Sequence, residues 1–258
     1  QTGISVFKRA TAASHMVRTE AYHAFWKQAY DETSSSFAAI GHSRLVTNGS
    51  ALHPDNNQPV AGHGLVTVHN GILVNVDDLW KNHPELTRHA EVDTEAFVAL
   101  LESYQKTDGL NQAVRRTYDE IFGMASTLNL FAGCGRFVAA TNNGSLYYVF
   151  SRSGQTAAFA SESLTLARLI RANPAAKRLF DPAGIKQLRA GEALSLTLSD
   201  MERQDFRFDD KNVHSAPEAS REIEILINQG PRPTDKTAAP EILPAVRYKP
   251  FEIDQEPI

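Results

Sequence analysis

Between Gly64 and Leu198 the chain returns again and again to short apolar runs closed by turn signals or polar breaks. Gly64 to Val68, Gly71 to Val76, Thr127 to Phe131, Phe137 to Ala140, Ser145 to Phe150, Ala157 to Ala160, Ile185 to Leu188 and Ala193 to Leu198 read as strands. Ile4 to Phe7 and Phe37 to Ile40 precede them. Strands this short need neighbours on their edges and cover on their faces, so they restrict the fold to stacked sheets. Helical periodicity interrupts them. Ser14 to Tyr30 carries Met16, Tyr22, Phe25 and Trp26 on one face. Phe97, Leu100, Leu101 and Tyr104 align within Asp93 to Tyr104, and Leu110, Val114, Tyr118 and Ile121 align within Leu110 to Phe122. Ser163 to Ala172 is a further short helix. The pattern predicts an α+β architecture, with two sheets packed face to face and helices outside.

Turn chemistry sharpens the map. His69-Asn70-Gly71 lies between two apolar runs, and an Asn-Gly pair there signals a hairpin. Asn142-Asn143-Gly144 is expected to turn the chain between the strands on either side of it. Asp93 reads as an N-cap. In Ala193 to Leu198, leucines alternate with Ser195 and Thr197, which predicts one buried face. From Ser215 the composition shifts. Seven of the 12 prolines lie in residues 217 to 257, although Ile223, Ile225 and Ile227 can form one more strand. We therefore expect a domain over residues 1–210 and a Pro-rich tail or linker over residues 211–258.

Composition removes several classes. A net charge of −4 carries no footprint for nucleic acid or an anionic membrane. One cysteine, Cys134, makes no internal disulfide and no Cys-rich zinc site. No stretch approaches the roughly 20 apolar residues of a membrane span, and Gln1 to Ala13 lacks a secretory pattern. Together these point to the cytoplasm as the default compartment. His63, His69, His83 and His89 match no metal-ligand spacing and are read as non-ligands.

Three polar segments stand apart from the strand pattern. The first is Gly41-His42-Ser43-Arg44-Leu45-Val46-Thr47-Asn48-Gly49-Ser50, followed by Asn57-Gln58-Pro59-Val60. The second is Val68-His69-Asn70-Gly71-Ile72-Leu73-Val74-Asn75, and the third Glu91-Val92-Asp93-Thr94-Glu95. In this order they resemble the class II glutamine amidotransferase domain of the N-terminal-nucleophile hydrolases. The nearest pattern is the glutaminase domain of glucosamine-fructose-6-phosphate aminotransferase. Arg44, Thr47, Gly49, Asn70, Gly71, Asp93, Thr94 and Glu95 match that pattern; Leu45, Val46 and Asn48 depart from it. Phe159-Ala160-Ser161-Glu162 looks like the family's Ala-Ser-Asp stretch, and the resemblance covers roughly residues 3 to 205.

The resemblance implies a four-layer α-β-β-α sandwich of two mainly antiparallel sheets, with hydrolysis of glutamine to glutamate and ammonia. It implies substrate binding by Arg44, Leu45, Thr47, Gly49 and Asp93, and an oxyanion hole from the Asn70 amide and the Gly71 N–H. The residue types suit those tasks. A guanidinium grips an α-carboxylate through two parallel hydrogen bonds, and a carboxylate answers an α-ammonium. A glycine lets its N–H approach a reacting carbonyl closely. No metal or organic cofactor is implied. The implied partners are L-glutamine and a synthase domain or subunit that accepts ammonia, with a homo-oligomer left open.

In that family the attacking group is the thiol of an N-terminal cysteine, whose α-amine is the base. Here position 1 is Gln1, and Cys134 reads as a half-buried turn residue. Gln1-Thr2-Gly3-Ile4 aligns with the end of the family's Arg-Gly-x-Asp-Ser-Ala-Gly-Ile stretch, so the resemblance implies that one strand, one helix and the nucleophile lie upstream. The alternative is a catalytically inactive relative that binds glutamine or a partner without turnover. Arg247 to Pro257 loosely resembles the aminotransferase linker, which would imply an amino-sugar product; a stand-alone subunit with a docking arm is the other reading.

Overall fold

The computed structural model describes residues 4–31, 36–43, 54–209, 223–228 and 246–248. In chain order the elements are β1 (Ile4–Phe7), α1 (Ala13–Met16), α2 (Glu20–Asp31), β2 (Val60–Ala61), β3 (Leu65–Leu73) and α3 (Val76–Asn82). They continue with α4 (Asp93–Gln105), α5 (Leu110–Glu120), β4 (Gly123–Phe131), β5 (Arg136–Thr141), β6 (Leu146–Phe150), β7 (Ala157–Ala160), α6 (Ser163–Ala172) and α7 (Pro174–Leu179). β8 (Lys186–Leu188), β9 (Glu192–Thr197), β10 (Arg203–Arg207), β11 (Ile223–Asn228) and β12 (Val246–Tyr248) complete the set.

Two antiparallel sheets carry the fold. The larger runs β10-β9-β5-β4-β3-β2 and the smaller β7-β6-β8. Side chains alternate across each strand, so each sheet has two faces to cover. On one face of the large sheet, Leu65, Ala125, Phe131, Val138 and Ala140 meet Phe97 and Leu101 of α4 and Val114 and Tyr118 of α5. On the other, Leu130, Phe137, Ala139, Leu194 and Leu196 meet Leu146, Tyr148 and Leu188 of the small sheet. The far side of that sheet presents Val149 to Leu166 and Ile170 of α6 and Ala176 of α7. These three cores separate four layers, α-β-β-α, as expected. A small third sheet lies beside them: β1 pairs in parallel with β11, and β11 pairs with β12. Val6 of β1 packs against Val66 and Ala132.

Several expectations change. His69-Asn70-Gly71 is no hairpin. It lies inside β3, whose flanks both pair with β4, Val68 opposite Leu128 and Ile72 opposite Met124. Turning there would strip both runs of that neighbour. The chain bends after Leu73 instead, and Val76 opens α3, where a strand was expected. The expected helix from Ser14 to Tyr30 is split. The Thr19 hydroxyl accepts the Tyr22 N–H at 3.2 Å and starts α2 afresh. Phe37 to Ile40 joins no ladder. Phe37 packs on the rings of Trp26 and Tyr30 instead.

Asn142-Asn143-Gly144 turns the chain, but out of one sheet into the other. β5 has β4 and β9 on its two edges, which leaves no place for β6. Gly144, at φ +77°, and Asn143, whose Oδ1 accepts the Ser145 N–H at 3.0 Å, make that exit. β9 is buried on both faces, not one. Ser195 is fully enclosed and accepts a hydrogen bond from Arg136 at 3.1 Å. Sequence periodicity missed α7 and β10. Among the described residues no helix is long and apolar enough to cross a membrane.

Candidate active site

The second and third polar segments meet at one edge of the large sheet. β3 carries His69, Asn70 and Gly71, and α4 opens at Asp93 beside it. Asn70 is exposed, whereas Asp93 is buried. The Asp93 carboxylate accepts the Leu73 N–H on Oδ2 at 2.9 Å and the Thr94 N–H on Oδ1 at 2.8 Å. Asp93 is therefore not the N-cap that its position in the sequence indicates. It is the first helical residue, Val92 precedes it, and its side chain ties α4 to the strand. Two accepted bonds leave lone pairs on both oxygens, so the group can still take an ammonium.

His69 lies behind this tie. It is almost wholly enclosed, with Nε2 3.2 Å from the Met124 carbonyl and Nδ1 3.2 Å from the Thr94 hydroxyl. A carbonyl only accepts, so Nε2 carries the proton. Nδ1 then accepts from Thr94. Burial pushes the His69 pKa down, against the partial pull of Asp93 and the Met124 carbonyl, which favours this neutral form.

Gly71 sits at φ +150°, and a β-carbon there would lie 1.8 Å from the Met124 carbonyl oxygen. Only a glycine fits this approach of β3 to β4.

The loop before β2 ties the second and third segments together. The Asn56 amide exchanges two hydrogen bonds with Glu91, donating to Oε2 at 2.9 Å and accepting the backbone N–H at 2.8 Å. The Gln58 amide does the same with the backbone of His69. Glu95 accepts the N–H groups of His89 and Ala90 at 2.6 and 2.8 Å and holds the approach to α4. A cleft of about 680 Å³ opens here, lined in part by Leu73, Asn75, Asp77, Arg88, Glu91 and Asp93. Among the described residues that line it, Asp77, Asp78, Glu91 and Asp93 outnumber the cation Arg88, a field that favours a positively charged group.

Arg44, Leu45, Thr47 and Gly49 lie outside the described residues. Cys134 is half-buried in the turn after β4 and packs against the helix-side core. Along β4 that turn lies beyond Phe131, and Gly71 pairs with Ala125, so the thiol is roughly 20 Å from Gly71. The histidines are scattered: His63 lies 3.4 Å from Glu102, and His83 lies 2.6 Å from Glu120. Among the described residues no group of three or more potential ligands can hold a metal ion.

Residues 42–168 match the family described as a glutamine amidotransferase domain. This chain carries a glutamine amidotransferase domain. The matched span contains Asn70, Gly71 and Asp93 together with the segment from His42 to Ser50, the motifs by which the sequence resembles class II. The glutamine–fructose-6-phosphate aminotransferase of Bartonella quintana (strain Toulouse) is 33% identical over 109 residues, covering 41% of this chain and 18% of that protein. The enzyme of the same name from Caulobacter vibrioides is 25% identical over 204 residues, covering 73% of this chain and 33% of its own length. The chain thus spans a third or less of these relatives. The solved glutamine phosphoribosylpyrophosphate amidotransferase of B. subtilis aligns with a TM-score of 0.46 at 20% identity, over 62% of this chain and 33% of that one.

Motif reading of the amidotransferase domain left out the residues that brace its candidate site. Gln58, Asn56, His69 and Thr94 all lie in or beside the motifs. Their bracing side-chain bonds run to residues 11 to 55 positions away, so spacing alone cannot reveal them.

Proposed function

We propose that this domain hydrolyses glutamine to glutamate and passes the ammonia to a synthase domain or subunit. The observation that carries the reading is the bond from the Leu73 N–H to Asp93, which brings the Asn70-Gly71 strand beside the carboxylate that opens α4. In this reading Arg44 grips the substrate α-carboxylate, with Leu45, Thr47 and Gly49 beside it, and Asp93 takes the α-ammonium. The side-chain amide of Asn70 and the N–H of Gly71 then receive the oxyanion formed when a thiolate attacks the side-chain carbonyl. One such donor is typically worth about 2.7–4 kcal/mol in the transition state. In this reading the attacking thiol is that of a cysteine other than Cys134, and the separation of roughly 20 Å between Cys134 and Gly71 along β4 supports it. Collapse of the tetrahedral intermediate breaks the C–N bond and releases ammonia, and water then hydrolyses the thioester to glutamate.

The names of the curated relatives support a sugar phosphate as the first acceptor to try. Glutamate release by the full-length natural protein, and its loss after treatment with a thiol-directed glutamine analogue, is the expected result. Glutamine binding without glutamate release would establish the inactive alternative instead.

A further inference from the structure

The open edge of β3 bears a row of backbone groups with unusual partners. In an antiparallel pair, residues alternate between facing the neighbouring strand and facing away. Ala125, opposite Gly71, turns its backbone towards Asn142. Its N–H donates to Asn142 Oδ1 at 2.8 Å, and its carbonyl accepts the Asn142 N–H at 3.0 Å. Gly71 and Ala125 therefore point their backbone groups away from each other. The N–H groups of Thr67, His69, Gly71 and Leu73 accordingly face the side where β2 lies. β2 reaches only to Val60, opposite Thr67.

Beyond Val60, side chains replace the missing strand. The His69 N–H donates to Gln58 Oε1 at 2.6 Å, and the His69 carbonyl accepts from Gln58 Nε2 at 2.8 Å. Two positions further on, the Leu73 N–H donates to Asp93. Gly71 lies between these two ties, and among the described residues no strand runs alongside it on this edge.

We propose that Gln58 is a positioning residue for glutamine hydrolysis. Its side-chain amide acts as a one-residue strand neighbour, fixes the peptide plane between His69 and Asn70, and so sets the aim of the Asn70 amide and the Gly71 N–H. A carboxamide is the side chain that offers one acceptor and one donor in the geometry of a peptide group. The loop that carries it is anchored in turn by the paired bonds of Asn56 to Glu91. This inference rests on the oxyanion role assigned to Asn70 and Gly71 above.

The test uses the full-length natural protein. In Gln58→Ala the glutaminase kcat should fall roughly 10- to 100-fold, with KM for glutamine within about threefold, because misaimed donors weaken the transition state more than the bound substrate. Gln58→Glu supplies a second arm. As a carboxylate it cannot donate to the His69 carbonyl; as a neutral acid it offers one donor and one acceptor again. Its activity relative to wild type at each pH should therefore climb at least about fivefold as the solution is acidified from pH 8 towards the carboxyl range. A folded Gln58→Ala protein with wild-type kcat would overturn the inference. So would a Gln58→Glu ratio that stays flat with pH, which decides the matter if Gln58→Ala does not fold. Wild-type protein that releases no glutamate would overturn the parent reading instead.

Discussion

Asn70 and Gly71 are neighbours with opposite sensitivities. Asn70 is exposed, so Asn70→Ala should change the free energy of unfolding in urea by no more than about 0.5 kcal/mol. Its glutaminase kcat should nonetheless fall about 10²–10³-fold at nearly constant KM, since the donor acts chiefly in the transition state. Loss of stability in parallel with activity would make Asn70 structural. Gly71→Ala must place a β-carbon against the Met124 carbonyl at a backbone angle that L-residues avoid. It should cost at least about 1–3 kcal/mol in urea unfolding. His69 adds a pH dependence. Burial holds its pKa below the ordinary 6.5, so the unfolded chain binds more protons between the two values. The stability it contributes is full above 6.5 and is lost as pH falls through that window. His83 has the opposite sign: burial lowers its pKa, but Glu120 and Glu85 raise it more, so its contribution is lost as pH rises through the raised value. The difference between wild type and His69→Gln in urea midpoint, followed from pH 7.5 to pH 5, isolates the His69 effect.

At the scale of elements, α4 matters most to the site because Asp93 opens it, and α5 packs against it in the core. Phe97 is almost fully buried against Tyr118, their rings 5.5 Å apart and edge to face. Phe97→Ala should cost about 3–5 kcal/mol, through lost burial and the cavity left behind. The site should weaken with it, since α4 carries Asp93. α7 is held by local chemistry instead. Pro174 occupies its first turn, and the Asn173 side chain accepts the N–H groups of Ala175 and Ala176 at 2.9 and 3.1 Å. Asn173→Ala should cost about 0.5–2 kcal/mol and leave glutaminase kcat unchanged, because two sheets separate α7 from α4.

Across the whole molecule, the four layers are held by three apolar interfaces, and β1 is attached at the side by a strand from near the other end of the chain. Ile4 pairs with Ile225 and Phe7 with Asn228. Removing residues 223–258 should therefore speed hydrogen exchange at the amides of Ile4 to Phe7 and leave β4 and β5 protected. Unchanged exchange at β1 would mean that its parallel partner contributes nothing in solution.

Much of this was legible in the amino-acid sequence. The strands β4 to β9, the helices α4, α5 and α6, and the polar segments around Asn70 and Asp93 follow from periodicity and residue chemistry, which act over a few neighbouring positions. Tertiary structure alone decided the rest. It kept β3 straight through Asn70-Gly71, because both flanks gain β4 as a partner. It moved β6 into a second sheet, because β9 already occupied the edge of β5. It turned Asp93 from a helix cap into a brace between α4 and β3, and Gln58 into a stand-in for a strand. In each case the deciding hydrogen bond joins residues far apart in sequence, and only the packed layers bring those groups within reach of each other.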